Sequence, residues 1–246
     1  MEKETLEFLL NLNQDFYDTY AKSFSSTRFS IQPGIQRLMP QFQETTNLFD
    51  LGCGNGNLAK ALLEADFSGC YLGVDNSSSL LSDAADAIPE NKTDRYTFRQ
   101  RELTVQFQDL QETPGFDSIT CFAVIHHFPL DPYLNQFFKF AEQRLSTNGK
   151  LYFSTWQVKN SRRLSSHIQP WSLLNFDNQE LGENDLLIDW RADPGQSARY
   201  RYVHHYDSET LRNTGFAAGL NLEEEFFSDG KEGDLALYQV WSKPAD

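Results

Sequence analysis

Residues 47–56 read Asn-Leu-Phe-Asp-Leu-Gly-Cys-Gly-Asn-Gly, and this stretch decides the fold. An apolar run ends in three alternating glycines, and a helical pattern follows from Leu58 to Glu64. A strand that enters a glycine-rich turn and then a helix is typical of the first unit of a nucleotide-binding α/β sheet, because the glycines let a ligand approach the main chain. The predicted cofactor-binding residues in this stretch are Asp50, Gly52, Gly54 and Gly56.

Short apolar runs alternate with helical patterns around this loop. The predicted strands are Asn47 to Leu51, Tyr71 to Val74, Tyr96 to Leu103, Ser118 to Phe122 and Leu151 to Thr155. The predicted helices between them are Leu58 to Glu64, Ser79 to Ile88 and Leu134 to Leu145. Two further strands, Leu222 to Phe227 and Leu235 to Trp241, predict an antiparallel C-terminal hairpin. The pattern indicates an α/β fold with a doubly wound, mostly parallel seven-stranded sheet.

The chain of 246 residues predicts a single domain with two additions. Residues 1–42 carry a helix-like apolar stripe and then a second helix, predicted to start at Pro33 and end before Pro40, so they form a predicted N-terminal helical cap. After Trp156 the alternation stops for about fifty residues, which is too long for a plain connection in a compact domain. We expect residues 157–206 to be an insertion that covers the substrate.

Composition and charge predict a soluble, cytoplasmic protein with no membrane, DNA or metal partner. The formal net charge of −14 counts against a broad nucleic-acid surface, because such surfaces depend on lysine and arginine. The apolar runs are far shorter than the roughly 20 residues of a membrane helix. The three cysteines, Cys53, Cys70 and Cys121, lie apart in the sequence and predict reduced thiols rather than disulfides or a zinc site.

Acidic residues at the ends of the next strands indicate which cofactor the loop binds. Asp75 ends the second predicted strand, 23 residues beyond Gly52, where a carboxylate can accept hydrogen bonds from both hydroxyls of a ribose. A dinucleotide fingerprint would have a third glycine at position 57, where this chain has Asn57, so the spacing argues against NAD and FAD. A third acid is expected at the adenine end. Glu102 and Asp109 both fit this position, and Glu102 is favoured.

The chain resembles the class I S-adenosylmethionine-dependent methyltransferases over nearly its whole length. The resemblance rests on four segments: Phe49 to Gly56, Gly73 to Asp75, Gly115 to Ile119 with Ala123 to Phe128, and Leu145 to Leu151. It implies an enzyme with S-adenosylmethionine as its cofactor. It also implies that the residues after the fourth strand, beginning with Ala123, lie beside the sulfonium and the methyl acceptor.

Methyl transfer is an in-line displacement that depends mainly on alignment and, for a neutral acceptor, on a base. His126 and His127 follow the fourth predicted strand. On an extended chain two adjacent side chains point to opposite sides, so at most one should face the pocket. We predict His126 as the catalytic base. The alternative is that one histidine packs in the core and the other lies in a loop.

A narrower resemblance links the chain to the tRNA wobble-uridine carboxymethyl methyltransferases. It rests on Phe24 to Arg28, Ala123 to Phe128, Gln169 to Trp171 and Arg201 to His204, although Val203 replaces a tyrosine usual in that group. It implies a carboxylate on a modified tRNA uridine as the acceptor and a small activator protein as a partner. Arg28 and Arg201 would clamp the carboxylate, unless either arginine pairs with an acid of this chain. The further predicted substrate-binding residues are Tyr17, Trp156, Tyr202 and His204.

A second hypothesis concerns the size of the acceptor. The acidic charge and the long insertion also fit a methyltransferase for a small carboxylate or hydroxyl metabolite, which would bind in an enclosed pocket under residues 1–42 and 157–206.

Overall fold

The computed structural model describes residues 1–27, 30–103, 115–129, 132–176, 179–190 and 198–245. The strands, in chain order, are β1 (Asn47–Leu51), β2 (Cys70–Asp75), β3 (Tyr96–Gln100), β4 (Phe116–Phe122), β5 (Leu145–Trp156), β6 (Ile168–Gln169), β7 (Asp185–Trp190), β8 (Arg199–His204), β9 (Asn221–Ser228) and β10 (Ala236–Ser242). The helices are α1 (Lys3–Thr27), α2 (Pro33–Phe42), α3 (Asn57–Glu64), α4 (Ser78–Asp86), α5 (Tyr133–Arg144), α6 (Arg162–Ser165) and α7 (Ser208–Ala217), with short 3-10 turns at Glu90–Lys92, Ile125–His127 and Trp171–Leu174.

Seven strands form the main sheet in the order β3-β2-β1-β4-β5-β10-β9. Strand β1 pairs in parallel with β2 and β4, whereas β10 is antiparallel to both β5 and β9. Helices cover both faces, so the central strand β1 is buried on both sides from Leu48 to Leu51, as in parallel sheets generally. The predicted doubly wound fold with an antiparallel C-terminal hairpin is confirmed.

Aromatic side chains fill the core on both faces of β5. On one face Phe137 and Phe138 of α5 pack against Phe153, with ring centroids 5.8 and 5.6 Å apart. On the other face Phe42 packs edge-on against Tyr152 at 4.9 Å. Helix α2 therefore continues through Pro40 to Phe42 and does not end before the proline as predicted, because its last turn buries the Phe42 ring completely.

Several other predicted elements differ from the structure in their bounds or conformation. Strand β5 begins at Leu145, well before the predicted Leu151, because its first residue already pairs with Phe116 of β4. Strand β3 ends at Gln100 rather than Leu103. The chain after β4 is a 3-10 turn and not an extended segment. This last difference decides which histidine faces the site.

A smaller antiparallel sheet, in the order β6-β7-β8, lies within the predicted insertion at 157–206. Helix α1 packs on it, since Asn13 accepts a hydrogen bond at Oδ1 from the backbone N–H of Tyr202 over 2.8 Å, and Leu9 joins Leu187 in one apolar cluster. Helix α1 and the small sheet together form one wall above the main sheet. Within the described ranges, no helix is both long and apolar enough to cross a membrane.

Candidate active site

A cavity of about 930 Å³ lies at the carboxyl ends of the main-sheet strands. Its floor comes from the glycine loop and the ends of β2, β4 and β5, and its far wall comes from α1 and the small sheet. Small-molecule sites in proteins occupy roughly 300–1,000 Å³, so this cavity is at the upper end of that range. Its size suits a cofactor together with part of a second molecule.

The three glycines of the loop have different surroundings. Gly52, Gly54 and Gly56 all have positive φ angles of 75°, 54° and 75°, a conformation that favours glycine. A Cβ on Gly52 would lie 2.3 Å from a methyl group of Val124, and one on Gly56 would lie 2.8 Å from Cβ of Ala84. A Cβ on Gly54 would meet nothing within 4 Å. Gly52 and Gly56 therefore allow close packing, whereas Gly54 leaves open space in the cavity.

The backbone N–H groups at the start of the loop donate hydrogen bonds within the protein. Those of Gly52 and Cys53 donate to the carbonyl oxygen of Val74 over 2.8 and 3.0 Å, and that of Gly54 donates to Oδ2 of Asp75 over 2.9 Å. A pyrophosphate on such a loop depends on free N–H donors. The N–H groups of Gly52, Cys53 and Gly54 are therefore already bonded within the protein, which argues further against a dinucleotide.

Acidic side chains line the cofactor end of the cavity. Asp75 receives a second N–H hydrogen bond, from Ser77 to Oδ1 over 2.9 Å. Burial raises the pKa of Asp75, the backbone hydrogen bonds oppose that rise, and the charge of Glu102 adds to it. Glu102 lines the cavity from an exposed position, so it is present at the predicted adenine end. Asp109, the alternative, lies outside the described residues.

Asp50 lies beneath the loop and is almost completely buried. Its Oδ2 accepts a hydrogen bond from the Tyr71 hydroxyl over 2.5 Å, and its Oδ1 accepts one from the Thr120 hydroxyl over 2.7 Å. Burial raises the pKa of Asp50 to about 6, although both hydrogen bonds lower it. Asp50 therefore fixes the start of the loop to the neighbouring strands while one side of it borders the cavity.

The turn after β4 presents one histidine to the cavity. Ala123 has a φ of 57°, which is uncommon for a residue with a Cβ, and its N–H donates to both the carbonyl and the hydroxyl of Ser154. A 3-10 turn with about three residues per turn follows, so adjacent side chains do not alternate as they do on a strand. His127 lines the cavity.

The prediction that His126 faces the pocket is corrected. Its side chain is completely buried, stacks on Trp156 with centroids 4.5 Å apart, and accepts the backbone N–H of Trp156 at Nδ1. Of the two histidines, His127 is the one that lines the cavity. A catalytic base at position 126 has no geometric support.

The acceptor end of the cavity holds a buried cation. Arg201 is only 6% exposed, and its guanidinium carbon lies 4.3 Å from the ring centroid of Trp156 and 4.8 Å from that of Phe16. It donates to the Tyr17 hydroxyl from Nη1 over 3.4 Å. Burial lowers the pKa of Arg201, and the Tyr17 oxygen opposes that shift, but a guanidinium stays charged in a protein.

No carboxylate of the described residues forms an ion pair with Arg201, and its buried Nε has no acceptor among them. A buried charge without a counter-charge is costly to fold. Arg201 lines the cavity, as do Tyr17 and Trp156, two of the predicted substrate-binding residues. Arg28, the predicted partner of Arg201, lies outside the described residues.

Two predicted substrate-binding residues, Tyr202 and His204, are not at the cavity wall, and their role is corrected. The Tyr202 hydroxyl donates to Oδ1 of Asp185 over 2.6 Å, and Nδ1 of His204 lies 2.8 Å from the same oxygen. Side chains alternate along a strand, so Tyr202 and His204 share the face of β8 opposite to Arg201. Asp185 ties this face to β7.

Comparison with known proteins places the chain in a family. The family described as Methyltransferase domain matches residues 24–225, which is most of the chain. The chain belongs to this methyltransferase family. The predictions of a methyltransferase, of an enzyme and of S-adenosylmethionine as its cofactor are confirmed.

Two curated relatives of this methyltransferase share a name. The tRNA (carboxymethyluridine(34)-5-O)-methyltransferase of Schizosaccharomyces pombe is 26% identical over 217 residues, covering 85% of this chain and 88% of the relative. The tRNA (carboxymethyluridine(34)-5-O)-methyltransferase alkbh8 of Xenopus tropicalis is 31% identical over 112 residues. That match covers 46% of this chain and only 16% of the Xenopus protein, so it concerns one part of a longer chain.

Solved structures agree with the fold. A SAM-dependent methyltransferase of Methanosarcina mazei superposes with a TM-score of 0.63 at 16% identity, covering 89% of this chain and 100% of its own. A chain solved in complex with the Trm112 methyltransferase activator of Haloferax volcanii superposes with a TM-score of 0.64 at 16% identity, covering 94% of this chain and 97% of its own. These likenesses concern the fold alone.

The cofactor end of the cavity fits S-adenosylmethionine. The open space at Gly54 lets a ligand lie against the main chain. Asp75 lies beside this space, and its carboxylate can accept hydrogen bonds from ribose hydroxyls. The carboxylates of Asp75 and Glu102 line this end together with Arg101, and carboxylates suit a ligand that carries a positive sulfonium and an ammonium group. No cluster of metal-binding side chains occurs in the part of the chain that the structure describes.

Proposed function

We propose that this methyltransferase transfers its methyl group to a carboxylate, and that the acceptor is the carboxymethyl group of a modified tRNA uridine. The observation that carries the proposal is Arg201, a buried cation at the cavity wall with no carboxylate partner among the described residues. An acceptor carboxylate would supply the missing counter-charge. The two tRNA carboxymethyluridine methyltransferases that resemble this chain support the nature of the acceptor.

The chemistry of the site agrees with an anionic acceptor. S-adenosylmethionine, when bound, supplies an electrophilic methyl group. A carboxylate is already ionised at neutral pH, so its methylation needs alignment and no base. Arg201 would bind the carboxylate through its planar fork of N–H donors and orient one oxygen toward the methyl group. The nearby rings of Phe16 and Trp156 exclude water from this ion pair, which strengthens it.

A second candidate function is methylation of a small carboxylate or hydroxyl metabolite. The wall formed by α1 and the small sheet encloses Arg201, and the net charge of −14 disfavours binding of a polyanion. The small sheet and the chain before it add little positive charge to the cavity lining. Arg163 and His167 line the cavity there, but so does Asp189, whose carboxylate lies 2.8 Å from the His167 ring. A tRNA acceptor would therefore need help from a partner.

We propose a small activator protein as that partner. A chain with the same fold has been solved in complex with the Trm112 activator, which supports such an assembly here. A basic activator or a basic surface formed with it would lower the repulsion between the acidic enzyme and RNA.

The deciding experiment uses S-adenosylmethionine with a labelled methyl group. The protein is incubated with bulk tRNA or with a small-molecule extract, each with and without a candidate activator. Label in tRNA that mild alkali releases as methanol is expected, because alkali hydrolyses a methyl ester. Alkali-labile label confined to the small-molecule fraction would overturn the tRNA acceptor but keep the carboxylate, and alkali-stable label in either fraction would overturn the carboxylate.

A further inference from the structure

A short hydrogen bond joins α1 to the turn after β4 inside the acceptor end of the cavity. The Tyr17 hydroxyl and Nε2 of His127 are 2.6 Å apart, although 110 residues separate them in sequence. Their rings meet edge to face with centroids 5.3 Å apart. Both residues line the cavity, and carboxylate methylation as described above uses neither of them.

The surroundings of His127 define the direction of this hydrogen bond. Nδ1 of His127 lies 3.1 Å from the carbonyl oxygen of Tyr202 and 3.4 Å from Nδ2 of Asn13. The carbonyl oxygen is the closer group and can only accept, so Nδ1 carries the proton. Nε2 is then unprotonated and accepts the hydrogen bond from the Tyr17 hydroxyl.

The Tyr17 oxygen in turn faces Arg201. With its proton directed to His127, the phenol presents lone pairs, and Nη1 of Arg201 donates to it over 3.4 Å. A continuous chain of donors and acceptors therefore runs from the Tyr202 carbonyl through His127 and Tyr17 to the guanidinium. Tyr17 is a neutral partner, so it can hold the guanidinium in place without cancelling the charge that a ligand would bind.

We propose that Tyr17 and His127 are positioning residues that orient Arg201 toward the acceptor carboxylate. This inference rests on the proposed function, because it takes Arg201 as the group that binds the carboxylate. It assigns the N-terminal helix a direct part in selecting the acceptor. It also gives His127 a purpose other than that of a base.

Matched variants separate positioning from folding. Tyr17→Phe removes only the hydroxyl, and Tyr133→Phe, at the start of α5 and away from the cavity, makes the same change as a control. His127→Asn keeps a donor near the Nδ1 position but loses the acceptor at Nε2. His127→Gln places an amide oxygen near the Nε2 position and should restore part of the effect.

The measurement is calorimetric binding of the nucleoside 5-carboxymethyluridine and of its neutral amide, both in the presence of S-adenosylhomocysteine. We expect the wild-type protein to prefer the carboxylate. Tyr17→Phe and His127→Asn should reduce that preference about fivefold, the change expected for one lost hydrogen bond. Tyr133→Phe should leave it unchanged. All variants should retain the wild-type affinity for S-adenosylhomocysteine, since the cofactor residues are not altered.

The possible results distinguish the two proposals. A wild-type protein that does not prefer the carboxylate over the amide would overturn the proposed function. A wild-type preference that survives intact in Tyr17→Phe and His127→Asn would overturn the positioning role alone. The positioning role is supported if Tyr17→Phe and His127→Asn both lose the preference for the carboxylate while their affinity for S-adenosylhomocysteine is unchanged, and if His127→Gln recovers part of that preference.

Discussion

The Tyr71 hydroxyl donates a hydrogen bond over 2.5 Å to Oδ2 of Asp50, the last acid before the glycine loop. The bond joins β2 to β1 under the cofactor site, and Thr120 of β4 donates to the other carboxylate oxygen. Three adjacent strands thus converge on one buried carboxylate. Burial raises the pKa of this carboxylate to about 6.

The first prediction is that Asp50 makes stability depend on pH. The folded protein holds Asp50 protonated up to about pH 6, whereas the unfolded chain releases the proton near its ordinary pKa of 3.8. The stabilisation is complete below pH 4 and is lost as the pH rises through 6. The difference corresponds to about 3 kcal/mol at most. Denaturant unfolding of the ligand-free protein at several pH values between 4 and 7.5 measures it.

Two variants identify Asp50 as the source. Asp50→Asn cannot ionise, so its stability should lack this fall between pH 4 and 6. Tyr71→Phe removes a hydrogen bond that lowers the pKa of Asp50, so the fall should move to higher pH. An identical pH profile in wild type and Asp50→Asn would show that other groups control the stability.

The second prediction separates two glycines of the loop. Gly52→Ala should destabilise the fold, because its Cβ would lie 2.3 Å from a methyl group of Val124. The new methyl group of Gly54→Ala would meet no atom within 4 Å. The free energy of unfolding should therefore fall only by the roughly 1–2 kcal/mol that a left-handed backbone costs alanine. Gly54→Ala should nevertheless weaken binding of the cofactor, because the new methyl group projects into the cavity.

Thermal shifts with S-adenosylhomocysteine measure this difference, since a ligand that binds the native state raises its Tm. The shift should be large for wild type and small for Gly54→Ala, and NAD should cause none in either. A full shift with Gly54→Ala would mean that the cofactor does not approach this residue.

The third prediction concerns the cost of keeping Arg201. Replacing a buried, uncompensated charge with an apolar side chain is often neutral or stabilising. Arg201→Met should therefore leave the free energy of unfolding unchanged or raise it by about 1 kcal/mol. The same variant should lose nearly all methyl transfer to a carboxylate. Unfolding curves and the labelled-methyl assay measure the two effects.

Arg199→Met is the matched control for this variant, because Arg199 begins the same strand and is exposed. It should keep both stability and activity. A loss of more than 2 kcal/mol in Arg201→Met would indicate that Arg201 has a structural ion-pair partner, contrary to its surroundings among the described residues.

The fourth prediction distinguishes the two candidate acids at the adenine end. Glu102→Gln should lower the affinity for S-adenosylhomocysteine about threefold, the effect expected of one partly exposed hydrogen bond. Asp109→Asn should leave this affinity unchanged. Calorimetric titration of both variants measures this. The reverse ranking would transfer the adenine-end role to Asp109.

Local patterns were sufficient to predict the main sheet and the cofactor end. Strand β1 has the predicted boundaries, and Asp75 was found from its distance to Gly52, because both belong to one β-α-β unit whose geometry depends on nearby residues. The helix through Pro40 was predicted wrongly, because burial of Phe42 is a tertiary effect that overrides the local preference of proline.

The acceptor end depends on contacts between distant parts of the chain. The choice between His126 and His127 required the 3-10 turn, which the sequence does not indicate. The link between Tyr17 and His127 spans 110 residues and has no local signature. The sequence did contain one signal that the prediction of the substrate-binding residues did not use. Side chains alternate along a strand, so if Arg201 faces the cavity, Tyr202 must lie on the opposite face.

The division between two sheets has a consequence for the evolution and redesign of the enzyme. The loop that holds the methyl donor belongs to the main sheet, whereas Arg201 projects from the small sheet of the 157–206 segment. Side chains on the small sheet can therefore diversify without disturbing the loop. A new acceptor could be introduced by grafting a different segment between β5 and α7, while the affinity for the donor is inherited unchanged.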